Sequence, residues 1–114
     1  MGIDVVRVQR IRHLVDKWDS AFLDRIFTGP ELEYCLPKRR RYEHLAGRFA
    51  VKESVIKAIG KKIPWKSIEV SSEPNGRPYV TVDGDYGRDI SGEKFSISIT
   101  HLENYALAIA VLEG

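Results

Sequence analysis

At Gly60 the spacing of apolar residues changes from near four to two, and that switch limits the fold more than any other feature of the chain. From Arg39 to Ile59 runs the longest helical pattern, with Tyr42, Leu45, Phe49 and Ile56 on one stripe and Gly60 placed to end it. Beyond it, Ile68-Glu69-Val70 and Tyr79 to Val82 flank Pro74-Asn75-Gly76-Arg77-Pro78, whose Asn-Gly pair signals the tight turn of a hairpin. Gly84 to Gly92 reads as a loop. Phe95, Ile97 and Ile99 then alternate with Ser96, Ser98 and Thr100, and Tyr105 to Leu112 supplies the return strand.

The first third reads as a strand followed by short helices. Gly2 to Val6 is a short apolar run around Asp4 that gives way to a helix flanked by Val8, Ile11 and Val15. Asp19 is placed to cap a second helix through Phe22 and Ile26. Thr28-Gly29-Pro30-Glu31 is a capping box that opens a third, which should stop before Pro37. Helices followed by antiparallel strands predict an α+β domain, with the long helix packed on an antiparallel sheet.

At 114 residues the chain fits one domain, residues 1–114, and has no room for two ordinary cores. No stretch approaches the roughly 20 apolar residues of a membrane span, and Met1 to Arg10 is charged within four residues, unlike a secretory signal. A cytoplasmic protein with no membrane partner is expected. Cys35 is the only cysteine, which excludes an internal disulfide and a cysteine-based zinc cluster and reads as a buried side chain. Charge is divided along the chain: residues 1–62 carry 14 Lys or Arg against 8 Asp or Glu, and residues 63–114 carry 4 against 8. A basic face of that kind attracts an acidic partner.

Several side chains are candidates for chemistry. Asp4 stands in an apolar strand, as either an exposed strand-end carboxylate capping the next helix or a metal ligand. Glu53 falls four residues after Phe49 and reads as half of an i, i+4 pair with Lys57 or as a second ligand. Two carboxylates completed by water and phosphate oxygens suit magnesium. Arg48 and Lys57 are candidates for phosphate contacts, whereas Lys38 to Arg41 reads as exposed surface. Arg77 and its turn are explained by hairpin geometry with or without a ligand. His101 closes an alternating strand, on the side of Leu107 or Tyr105, as a structural residue or a catalyst. Walker-type and dinucleotide-binding glycine loops are missing.

Taken together the segments resemble the small bacterial branch of the 4′-phosphopantetheinyl transferases. The resemblance rests on Gly2-Ile3-Asp4-Val5, on Leu45-Ala46-Gly47-Arg48-Phe49-Ala50-Val51-Lys52-Glu53 with Lys57-Ala58 and Gly60, on Asn75-Gly76-Arg77-Pro78, and on Ser96 to His101 with Tyr105-Ala106. It covers nearly the whole chain. It implies magnesium-dependent transfer of phosphopantetheine from coenzyme A to a serine of apo acyl carrier protein, with release of adenosine 3′,5′-bisphosphate. By the same match, Asp4 and Glu53 are metal ligands, while Arg48, Lys57, Asn75, Gly76, Arg77, Pro78, Thr100 and His101 border coenzyme A. Glu53 is the implied general base, with His101 the alternative.

The resemblance also implies a homotrimer with active sites between subunits, and a carrier-protein dock at Arg10, Lys17 and Arg25. Two departures stand out. Arg7 occupies a place where relatives commonly carry Glu, and Lys61-Lys62-Ile63-Pro64 replaces the usual Gly-Thr-Gly extension after Gly60. The rival expectation, prompted by the Lys38 to Arg41 run, is a noncatalytic RNA- or ribosome-binding module. The acidic second half is awkward for wrapping a nucleic acid, so no nucleic-acid partner is expected.

Overall fold

The computed structural model describes residues 1–83, Tyr86 and 94–113. The chain begins with strand β1 (Gly2–Arg7), followed by helices α1 (Val8–Trp18), α2 (Ser20–Ile26), α3 (Gly29–Cys35) and α4 (Arg41–Ile59). A 3-10 turn (Trp65–Ser67) then leads into β2 (Ile68–Ser72), β3 (Pro78–Val82), β4 (Lys94–Leu102) and β5 (Tyr105–Glu113). Strands β1, β5 and β4 form one antiparallel sheet in that order, and β2 and β3 form the expected hairpin. Apart from Tyr86, the loop expected from Gly84 to Gly92 lies outside the described residues.

Register explains which side chains meet α4. Asp4 is aligned with Ala108 on β5, and Ala108 with Ile99 on β4. Because side chains alternate between faces, Gly2, Asp4, Val6, Ala106, Ala108, Ala110, Ile97, Ile99 and His101 share the face turned toward α4. Gly2 and the three β5 alanines are the small positions of that face, and over them the helix lies close. A Cβ added at Gly2 would collide with the Ser54 carbonyl, and the Ser54 hydroxyl sits 2.6 Å from the Ala50 carbonyl and 3.1 Å from that of Ala108.

Helix α4 is buried on all sides through its middle, with Leu45, Ala46, Ala50, Val51 and Val55 fully enclosed. The single apolar stripe expected from its sequence is therefore incomplete. The sheet covers one side, and α1, α3 and β2 cover others, which removes the need for a polar flank. Gly60 ends the helix in the left-handed region at φ 86°. The helix starts two residues later than expected, at Arg41.

The capping box at Thr28 forms as expected: Glu31 N–H donates to the Thr28 hydroxyl at 3.4 Å, and Thr28 N–H donates to the Glu31 carboxylate at 2.8 Å. Asp19, in contrast, precedes α2 without a side-chain cap, because its φ of 46° departs from the extended backbone an N-cap adopts. Asp4 does not cap α1 either, since it lies within β1 and faces α4. His101 is aligned with Ala106 and shares its face, so Leu107 and Tyr105 lie on the opposite side, contrary to expectation.

A fully enclosed ion pair lies in the core. Lys52 Nζ lies 2.7 Å from Glu31 Oε1, and both side chains are 0% exposed. Burial pulls the Lys52 ammonium below its ordinary range, and the charge of Glu31 opposes that fall. No helix among the described residues is long and apolar enough to cross a membrane.

Candidate active site

Two groups of polar side chains gather on different faces of α4. The first sits at its C-terminal end, over β1. Lys57 Nζ donates to the Ile3 carbonyl at 3.0 Å and to Asp4 Oδ1 at 3.1 Å. Glu53 stands one turn earlier on the same helical face. Its carboxyl is raised above the ordinary range first by burial and then by the neighbouring Asp4 charge, while Lys57 and Arg10 act in the opposite sense. The i, i+4 partner of Glu53 thus forms its ion pair with Asp4 instead.

Asp4 and Glu53 repel each other across a partly buried gap, a repulsion that a divalent cation would relieve. Among the described residues no group of three or more His, Cys, Asp or Glu side chains could hold a metal. A two-carboxylate site fits magnesium, which takes few protein ligands and keeps several waters. Lys57 adds a cation where phosphate oxygens would complete such a shell.

The second group sits at the N-terminal half of α4, over β4. Arg48 is buried, its guanidinium carbon 4.2 Å from the centre of the Tyr34 ring, and its Nε finds no hydrogen-bond partner among the described residues. The His44 ring lies 5.7 Å from that of Tyr34 and 6.4 Å from that of His101, centre to centre. Lys38 Nζ stands 4.6 Å from the Tyr34 ring centre. Burial, with the charges of Arg48, His101 and Lys38, lowers the His44 imidazole below its ordinary value. Burial also raises the Cys35 thiol to about 11, against the pull of Arg48. An inert thiol results.

Arg48 therefore does not join Glu53. Five residues apart on a helix, the two are rotated by about 140° and offset by about 7.5 Å. Two strand spacings and a two-residue step put the Asp4 and His101 Cα atoms about 12 Å apart. Thr100 is exposed, its side chain on the face opposite to that of His101. Asn75, Gly76 and Arg77 are exposed in the hairpin turn, where Arg77 N–H donates to Asn75 Oδ1 at 2.9 Å and Gly76 has φ 89°. Pro78 opens β3 rather than belonging to the turn.

The residues expected to dock a carrier protein are exposed along α1 and α2. Arg10 reaches to 6.0 Å from the Phe49 ring centre and acts on Glu53, so it borders the carboxylate group. Lys17 Nζ lies 5.2 Å over the Trp18 ring, and Arg25 lines an apolar groove with Leu14, Trp18, Ala21 and Phe22. Sequence reasoning passed over that groove, and also Tyr34 and His44, while Lys38 is exposed as read but lies against the Tyr34 ring. Only His44 carried a signal, four residues before Arg48 and thus on its face.

Comparison with known proteins places the chain in a family. Residues 1–110 match the model of the 4′-phosphopantetheinyl transferase superfamily. The holo-acyl-carrier-protein synthase of Halothermothrix orenii is 41% identical over 99% of this chain and 95% of its own length. The Neisseria meningitidis holo-acyl-carrier-protein synthase structure superposes with a TM-score of 0.90 at 30% identity, covering 99% of this chain and 96% of that one. The Helicobacter pylori enzyme, solved in complex with coenzyme A, gives a TM-score of 0.86 at 30% identity, with 98% of each chain covered. With its strand-borne Asp4 facing Glu53 and Lys57 on the long helix, this chain belongs to the 4′-phosphopantetheinyl transferase superfamily.

Proposed function

We propose that the chain transfers 4′-phosphopantetheine from coenzyme A to a serine hydroxyl of apo acyl carrier protein, as a holo-acyl-carrier-protein synthase. The observation that carries this reading is the convergence of Asp4, Glu53 and Lys57 in a chain of this family. The serine oxygen attacks the β-phosphorus of the diphosphate, the bond to the bridging oxygen breaks, and adenosine 3′,5′-bisphosphate leaves. A magnesium ion held by Asp4 and Glu53 supplies charge neutralisation to the phosphate oxygens when bound. Lys57, fixed by the Ile3 carbonyl and Asp4, presents its remaining donor capacity to the same oxygens.

Glu53 is the base this geometry favours. It faces Asp4 and Lys57 at the proposed diphosphate site, whereas His101 is on the far edge of the sheet. Arg48, a cation with an unsatisfied buried Nε, and the His101 ring border the nucleotide end of coenzyme A, and Asn75 to Pro78 and Thr100 supply further contacts. The exposed cations Arg10, Lys17 and Arg25 face an acidic carrier protein, raising encounter rate and fixing orientation.

A homotrimer with sites between subunits is supported by two features. The outer sheet face exposes Ile3 (46%), Val5 (53%) and Leu102 (57%) beside half-buried Leu107, Ile109 and Val111. The two polar groups lie apart on one chain, so a second copy can bring the complementary half. Cytoplasmic action follows from the substrate, an intracellular cofactor. The test is mass spectrometry of an apo carrier protein incubated with the chain, coenzyme A and magnesium. The phosphopantetheine increment is expected, and its absence in a folded, metal-supplied sample refutes the reading.

A further inference from the structure

We infer that Lys52, through its buried pair with Glu31, is a positioning residue that fixes the β2–β3 hairpin against α4. The inference rests on the proposed transfer reaction, in which α4 and the hairpin turn both border coenzyme A.

A fully enclosed ammonium is costly unless each of its protons has an acceptor. Lys52 Nζ has three: Glu31 Oε1 at 2.7 Å, the Ile26 carbonyl at 2.8 Å and the Trp65 carbonyl at 3.2 Å. They come from α3, from the end of α2 and from the 3-10 turn that leads into β2. Glu31 is equally engaged: Oε1 also accepts from Thr28 N–H at 2.8 Å, and Oε2 accepts from Val70 N–H of β2 at 2.7 Å. Thr28 in turn donates through its hydroxyl to Glu69 Oε1 at 2.9 Å, a second tie from the α3 cap to β2.

Among the described residues the hairpin strands pair with each other and form a sheet separate from the three-stranded one. Beside the apolar contact of Ile68 and Val70 with the core, the hairpin's directional tie to α4 runs through the Val70–Glu31–Lys52 and Trp65–Lys52 bonds. Lys52 immediately precedes Glu53, so the same contact sets the rotation of α4 at the residue before the proposed base. An apolar residue would fill the volume and hold none of these directions.

The test replaces the pair by neutral side chains of similar size, K52M/E31Q, in the full chain. Calorimetric titration with coenzyme A and magnesium separates two roles. A merely structural pair lowers the fraction of molecules that bind and leaves their affinity unchanged. Positioning keeps the binding stoichiometry near that of the parent, weakens the coenzyme A Kd by about threefold or more, and lowers kcat per binding site. A shift below threefold overturns the inference. Should the double variant fail to fold, E31Q alone, which keeps the shape and an acceptor oxygen, is judged by the same threshold. Failure of both to fold also overturns it. A parent chain that neither binds coenzyme A nor modifies the carrier protein refutes the transfer reading instead, independently of either variant.

Discussion

The Lys57 ammonium meets Asp4 Oδ1 at 3.1 Å, joining the last turn of the central helix to the first strand of the sheet across more than fifty residues of sequence. The pair borders solvent on the lysine side, which limits its worth to stability to under about 1 kcal/mol. Its value lies in where it holds two opposite charges.

Asp4→Asn is accordingly expected to lower transfer by at least about 100-fold while changing stability by less than about 1 kcal/mol. Initial rates with saturating coenzyme A and a chemical denaturation curve check both parts. A large loss of stability would recast Asp4 as a folding residue.

Glu53→Gln should also abolish transfer, with a distinct signature in stability. A carboxyl raised in the folded state binds its proton more tightly there than in the unfolded chain, so parent stability declines as pH rises from 4.5 through the raised value. The glutamine variant escapes that decline. It should melt above the parent at pH 7, and this gain should fade below pH 4.5, where glutamate is protonated in both states. Thermal melts across that range decide it; a gain independent of pH contradicts the assignment.

The two glycines facing across the helix–sheet contact should behave differently. Gly2→Ala drives a methyl into the Ser54 backbone and is expected to cost about 1–3 kcal/mol. Gly47→Ala meets the His101 ring at 3.0 Å, and that exposed ring can yield. Stability should change little, while coenzyme A affinity reports the displaced imidazole. Equal destabilisation by both would show that His101 is held more firmly than its exposure implies.

Arg10→Ala should raise the KM for the carrier protein by about three- to tenfold, with less effect on that for coenzyme A, and should reduce the salt dependence of the reaction. Kinetics at two ionic strengths suffice. Val5→Glu puts a charge on the exposed apolar sheet face; if the proposed trimer forms through that face, light scattering should find the parent trimeric and the variant monomeric, with transfer lost alongside.

The periods on either side of Gly60 revealed the long helix, the hairpin and the β4–β5 pair, because local spacing reflects which face a side chain turns to the core. The neighbours of α4 were harder to read. Arg48 and Lys52 are cations within its buried length, and no periodicity indicates that Tyr34 will cover one or Glu31 neutralise the other. Likewise, Glu53 to Lys57 was a legible spacing, but its ion pair went to Asp4 because the sheet register delivers that carboxylate to the end of the helix. The family motifs named the residues without revealing that Arg48 and Glu53 point to different sides.

The alanines at 106, 108 and 110 also bear on how this enzyme can drift. A helix spaced from its sheet by single methyl groups leaves those positions almost no tolerated exchanges: anything larger pushes the helix off, and glycine weakens the strand. Adaptation to new carrier proteins is thereby confined to the other flanks of the molecule, where side chains can change without moving Asp4 and Glu53.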